Sequence, residues 1–244
     1  MFNKFILLIS TVALLSVISC QKESLTTVEA TGNEVNSNEL YFIDNSAVSA
    51  NDFQWENETM HYHTDVGEKD NPSSEKIAHR AFTTEEGYDN HMRSLMGSKY
   101  DIHKTATEHL SEYAETSGAV AYLEENKEIP QAYLDYEKEY LQQHLPKGDL
   151  DLAEQKGLVA VLYKNLFCSQ AFNITLPLLG TPFFIFNNNK ASSFEGLLIG
   201  GYHRGFDKSF YRRAIWSRWD WGFTCLNLPP GVDNRISSWW SIGI

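Results

Sequence analysis

The sequence predicts an all-β sandwich over residues 157–244, preceded by a small α-helical region at 83–148 and a disordered polar tether at 20–82. Three observations carry this. From Gly157 onward, short apolar and aromatic runs recur with Gly, Asn and Pro between them, at the pitch of a sandwich. Between 83 and 146 the apolar residues fall at helical spacing. From 21 to 80 they are sparse and lack a sustained period, so burial cannot offset the entropy lost on ordering.

The charge distribution divides the chain at the same place. Residues 20–156 carry 11 Lys/Arg against 28 Asp/Glu, a net of −17, whereas residues 157–244 carry 8 against 4, a net of +4. The acidic part excludes nucleic acid and anionic lipid as its partners. Arg204, Arg212, Arg213 and Arg218 lie close together in the basic part and read as solubilising charges on an aromatic strand face.

Residues 1–19 have a Lys before an apolar run that ends in small residues, the form of a secretion signal and not of a membrane span. Val17-Ile18-Ser19-Cys20 resembles the bacterial lipobox, which implies that Cys20 becomes the first mature residue and carries lipid. Several acyl chains would then hold the protein at a membrane, where one would bind only reversibly. Gln21-Lys22-Glu23-Ser24 is similar to the acidic tag of Bacteroidetes-type surface lipoproteins. The expected place is the outer membrane, facing the periplasm or the exterior.

In the tether, Tyr41-Phe42-Ile43 and Phe53-Gln54-Trp55 are short apolar exceptions that read as strands or docking segments. His61, His63, Asp65, Glu68 and Asp70 have the composition of a metal cluster. Their spacing matches no strong ligand pattern, so they read as polar linker. The helical region opens with Thr83 and Glu86, the spacing of a capping box. Tyr88, Met92, Leu95 and Met96 share a face of the first helix. Ile102, Ala106, Leu110 and Tyr113 share a face of a second, and Gly118 breaks it. Pro130 suits the first turn of a third, which Pro146 and Gly148 end. His79, His91, His103, His109 and His144 and many carboxylates lie here without an HExxH motif, so surface and structural roles are expected.

Within the β region, Leu158–Leu162, Phe172–Leu176, Phe183–Phe186, Ile215-Trp216, Phe223–Leu226 and Trp239–Ile242 read as strands. Asn188-Asn189-Lys190-Ala191-Ser192-Ser193 and Asp233-Asn234-Arg235-Ile236-Ser237-Ser238 repeat one pattern 45 residues apart, as two copies of a folding unit do. These hexapeptides resemble the calcium-binding loop of the βγ-crystallin family, Asn/Asp-Asn/Asp-X-X-Ser/Thr-Ser. The resemblance covers residues 157–244 and implies two Greek-key motifs closing one sandwich. It also implies Ca²⁺ sites in which Ser192 and Ser237 give hydroxyl oxygens. Lys190 and Arg235 would give backbone carbonyls with their side chains in solvent, and Asn188, Asn189, Asp233 and Asn234 would shape the loops and supply the remaining oxygens.

With Cys20 lipidated, Cys168 and Cys225 remain as an even pair in a compartment that permits a disulfide. No catalytic triad and no phosphate-binding Gly loop is evident. The expected function is therefore a non-enzymatic, membrane-anchored lipoprotein that displays a calcium-binding structural or ligand-binding sandwich. A protein or a carbohydrate is its expected ligand, the latter stacked on Trp216, Trp219, Trp221, Trp239 and Trp240. Two alternatives stand beside it. One is an inhibitor or toxin-neutralising protein of the same superfamily. The other is an enzyme acting on polysaccharide or peptide through paired carboxylates of the helical region, such as Glu124 with Glu125 or Glu137 with Glu139.

Overall fold

The computed structural model describes residues 38–55, 57, 59–68, 70–71, 74–156, 160–163, 168, 173–176, 179–181, 191–196, 201–221 and 225–243. Four strands come early: β1 (Glu39–Ile43), β2 (Ser46–Val48), β3 (His61–Val66) and β4 (Ile77–Phe82). Five helices follow: α1 (Glu85–Met96), α2 (Ser98–Thr116), α3 (Ala119–Asn126), α4 (Gln131–His144) and α5 (Lys147–Lys156). The remaining described strands are β5 (Ala160–Tyr163), β6 (Asn173–Leu176), β7 (Leu179–Thr181), β8 (Ser193–Gly196), β9 (Gly201–Phe206), β10 (Ala214–Asp220), β11 (Cys225–Asn227) and β12 (Ser238–Gly243).

These strands do not form the self-contained C-terminal sandwich that the sequence leads one to expect. Early and late strands share one eight-stranded sheet in the order β2-β1-β4-β3-β10-β9-β12-β7. A second, antiparallel sheet has the order β11-β8-β5-β6. In the large sheet β1 runs parallel to β4 and β3 runs parallel to β10; the other pairs are antiparallel. The β3–β10 pair sets His63 opposite Ser217 and Asp65 opposite Trp219. Residues 39–82, expected as tether, thus contribute half of the large sheet.

The physical reason lies in the late strands themselves. A sandwich strand buries one face only, but β10 and β12 bury both. On one side Trp219, Trp240, Tyr202 and Ile242 pack under Tyr88, Met92, Met96 and Tyr100 of the helices. On the other, Trp216 and Trp239 pack with Phe194 and Leu162 of the small sheet. Strands apolar on both faces belong in the middle of a covered sheet. Their free edge then needs a partner, because an unpaired backbone group in the interior is costly. β3 supplies it. The result is a helix layer, a mixed eight-stranded sheet and a four-stranded sheet stacked in that order.

The early strands are well specified locally. Asp44 and Asn45 both take positive φ (46° and 67°), the two-residue turn that closes the β1–β2 hairpin. In β3 the side chains alternate, and Tyr62 packs in the core shared with the small sheet. The capping residue of α1 is Thr84, whose hydroxyl accepts from the Gly87 amide at 3.1 Å. Thr83, expected in that role, instead bonds the Asp44 carboxylate through its amide (2.9 Å) and hydroxyl (2.6 Å). Gly97 (φ +61°) turns the chain from α1 into α2, and Gly118 (φ +80°) separates α2 from α3. Helix α5 continues past Gly148, where the sequence reading ends the helical region. The expected Cys168–Cys225 disulfide is present and ties strand β11 to the segment beside β8, where the Cys168 amide donates to Ser193 Oγ at 3.0 Å.

Candidate metal centre

Strand alternation places His63 and Asp65 on the helix side of β3, since they are two residues apart. Only Thr83 and Thr84 separate β4 from α1, so the helix folds directly back over the sheet. Two turns into α1, His91 reaches the same spot: its ring lies 5.3 Å from the His63 ring and 5.3 Å from Phe82. Ser217, opposite His63 on β10, closes the arrangement from below.

One donor atom from each of His63, Asp65 and His91 lies within 4.8 Å of the others. Among the described residues this is the one group of three His, Cys, Asp or Glu side chains so placed. His63 Nε2 is 3.0 Å from Asp65 Oδ1, and His91 Nε2 is 3.8 Å from Asp65 Oδ2. Behind the donors, His63 Nδ1 is 2.8 Å from Ser217 Oγ, which receives a hydrogen bond from the Tyr88 hydroxyl at 2.7 Å. Arg80 Nε donates to Asp65 Oδ2 at 2.9 Å, with its guanidinium carbon 4.4 Å above the Phe42 ring.

The electrostatics favour ligand-ready protonation states. Burial opposes ionisation of Asp65, but His63, Arg80 and His91 outweigh it and hold the carboxyl well below the usual range. Burial is the main cause that pushes the His91 pKa down to about 3, so its ring is neutral at physiological pH. Its Nε2 is buried and has no hydrogen-bond partner. A buried polar atom without a partner costs about 1–3 kcal/mol unless something fills its site. Two imidazoles and a carboxylate, with a hydroxyl oriented on the far nitrogen of one ring, form a donor set for a transition-metal ion. The Ser217 hydroxyl suits either state of the ring. It can donate to Nδ1, or turn to the Tyr62 carbonyl at 3.4 Å and accept from Nδ1–H once Nε2 is committed to an ion.

This chemistry replaces the calcium sites expected from the repeated hexapeptides. Asn188, Asn189 and Lys190 lie outside the described residues. The other loop is closed by its own hydrogen bonds. Ser237 Oγ donates to the Asp207 carbonyl at 2.8 Å, and the Arg235 guanidinium, half-buried, binds the Gly231 carbonyl and the Asp207 carboxylate. Asn234, at φ +57°, donates its amide to the Ala191 carbonyl, and Leu228 donates to the Ser192 carbonyl. The loops therefore do meet, but the carbonyls of Ala191, Ser192 and Gly231 are engaged, the last by the Arg235 guanidinium, whose charge would repel a divalent cation. Asp233 Oδ1 has no hydrogen-bond partner, and a single such oxygen is far from the six to eight that Ca²⁺ takes. The expected non-enzymatic, calcium-binding sandwich is corrected with it: the strands form a mixed sheet instead, and the described oxygens of these loops do not make a Ca²⁺ site.

Other residues singled out in the sequence have structural places. Trp216, Trp219, Trp239 and Trp240 are fully buried and offer no stacking platform. Arg218, expected in solvent, is buried in an ion pair with Asp220 at 2.6 Å and lies 4.7 Å over the Phe194 ring. His109 Nε2 is 2.7 Å from the Tyr136 hydroxyl, and Glu108 lies 3.6 Å from Lys104. Glu124 and Glu125 are exposed, and Glu137 is buried while Glu139 faces solvent, so neither pair converges. Cys20 lies outside the described residues. Among those described, no helix is long and apolar enough to cross a membrane.

Sequence reasoning reached His63 and Asp65 but read them as linker, and gave His91 a surface or structural role. The available signal was the His-x-Asp spacing inside the run His61–Val66, which alternates as a strand does. No family model matches the chain, no curated protein matches it, and no solved structure matches it.

Proposed function

We propose that the protein is a metal-dependent hydrolase whose ion, of the zinc type, is held by His63, Asp65 and His91. The observation that carries this is the convergence of the three donors, with His91 Nε2 buried and without a partner beside Asp65. Three protein ligands leave a tetrahedral ion one open position, and an ion so held supplies a water activated for attack near neutral pH. The chain's own residues do the rest. Ser217 would fix the His63 ring, and Arg80 would fix Asp65. Asp65 and His91 are the partly exposed members of the trio.

Calorimetric titration of the full chain with Zn²⁺, and with Co²⁺ followed by its visible spectrum, tests the site. A single binding event that raises the melting temperature is expected. His91→Ala should abolish it without unfolding the protein, and Ser217→Ala should weaken it by about 10-fold. Ester or peptide hydrolysis should need the metal and vanish with a chelator. If the wild type takes up none of these ions, the trio is a buried ion-pair network and the enzyme reading falls.

We also propose membrane anchoring through Cys20, supported by the apolar run that ends in Ser19-Cys20. Cys20→Ser should release the protein into the soluble fraction or leave its precursor uncleaved. Normal processing and membrane retention of that variant would remove the proposal.

A further inference from the structure

The loop between β2 and β3 forms a cleft on the side of the large sheet away from the metal trio. Its floor and walls come from Trp55, Met60, Tyr62 and Ile215, with Arg213 and Arg235 on one rim. The cleft itself has room for only about 80 Å³ and opens, past Gln54, Asn57 and Pro230, into a shallow trough of about 490 Å³.

The loop that carries Trp55 is held in place. The Tyr62 hydroxyl donates to the Gln54 carbonyl and accepts from the Asn57 amide at 3.1 Å, so it clamps the chain on both sides of the indole. Phe53 and His79 meet that indole edge-on, at interplanar angles of 69° and 80°, and Tyr62 meets it at 34°. Thus no described ring lies flat on it. Across the cleft, Arg213 and Arg235 both reach Asp207, at 3.0 and 3.4 Å, which fixes two guanidinium groups side by side. Arg235 is further tied to the Gly231 carbonyl.

We propose that this cleft binds an acidic saccharide, one whose sugar ring carries a carboxylate. An indole beside a cleft takes the apolar face of a sugar ring, while side-chain amides such as those of Gln54 and Asn57 take hydroxyl groups. The two guanidinium groups carry one positive charge more than Asp207 balances, and guanidinium N–H groups bind a carboxylate through charge-assisted hydrogen bonds. An extended acidic peptide would use the arginines but has no flat apolar face to set on Trp55. The cleft is separate from the trio, on the opposite face of the sheet, so binding there requires no metal.

The test uses the full chain with chelator present and three probes: a uronate oligosaccharide, a neutral glucose oligosaccharide of equal length, and poly-glutamate. Saturable binding of the uronate, at least about 10-fold tighter than the other two, is expected by calorimetry. Trp55→Ala should weaken it by about 10-fold, and Arg213→Gln, an exposed change remote from the core, by a similar factor. Trp55→Phe should retain most of the affinity while losing the accompanying change in tryptophan fluorescence, which keeps the test valid if the alanine variant unfolds. Equal binding of neutral sugar would overturn the anionic specificity. Binding of poly-glutamate that is indifferent to Trp55 would replace the saccharide by a peptide, and no saturable uronate binding would end the proposal. Loss of hydrolysis in metal-free protein bears only on the trio, so the two readings fail separately.

Discussion

Glu137 turns its carboxyl inward from α4 onto the Tyr211 hydroxyl, 2.5 Å away. Burial raises its pKa to about 7, with the Tyr211 hydrogen bond opposing the rise. A carboxyl whose folded pKa is raised binds its proton more tightly in the native state. Its contribution to stability is therefore complete below the unfolded value, near 4.5, and lost as pH rises through about 7. Glu137→Gln keeps an oxygen for the Tyr211 hydroxyl and removes the charge. Urea melts at pH 5 and pH 8 should show the wild type losing up to roughly 3 kcal/mol that the variant keeps. Parallel losses in both proteins would show that Glu137 is not the group responsible. At this scale the sequence is a poor guide. Glu137 and Glu139 look alike on paper, and only the direction of the helix face separates the buried one from the solvated one.

At the scale of elements, the packing around the paired strands β9 and β12 depends on Gly205. A methyl group there would sit 3.1 Å from Ile236 Cδ1 and 3.2 Å from Trp239 Cζ3. Both neighbours are buried, Trp239 within a stack on Phe194 at 5.0 Å, so neither can give way freely. Gly205→Ala should cost about 1–3 kcal/mol through overpacking, read as a lower denaturant midpoint. An unchanged midpoint would mean that Ile236 repacks without strain. The helices at this scale were legible, because periodicity and the breaks at Gly97 and Gly118 are local signals. β3 was not legible as part of a sheet. His61, His63 and Asp65 are polar on its helix side, and that polarity, averaged over the neighbouring residues, reads as linker.

For the whole molecule, the Cys168–Cys225 bridge closes a loop with a sequence separation of 57. Restricting the unfolded chain over that length contributes at most roughly 4 kcal/mol. Replacing both cysteines with Ala should lower stability by about 2–4 kcal/mol, seen as a shift in the urea midpoint. A variant as stable as the wild type would show that the two sheets hold that segment without the bridge.

What the sequence determined by itself is the set of features that short-range physics decides. The helix periods from Tyr88 to Leu141 are of this kind, as is the alternation in the C-terminal strands. The cysteine pair followed from counting. The hexapeptide repeat did mark two loops that meet, as the Asn234–Ala191 hydrogen bond shows. It could not show that Arg235 binds the Gly231 carbonyl and the Asp207 carboxylate, because that depends on where those two residues come to lie. Tertiary structure alone decided that β3 pairs with β10 and that His91 closes over His63 and Asp65. Backbone pairing is nearly indifferent to side-chain identity, so the sequence of a strand does not name its neighbour. The choice falls to whichever arrangement buries Trp216 and Trp239 on one face and Trp219 and Trp240 on the other while leaving no interior edge unpaired. That arrangement brings residues 63, 91 and 217 together, and with them the site.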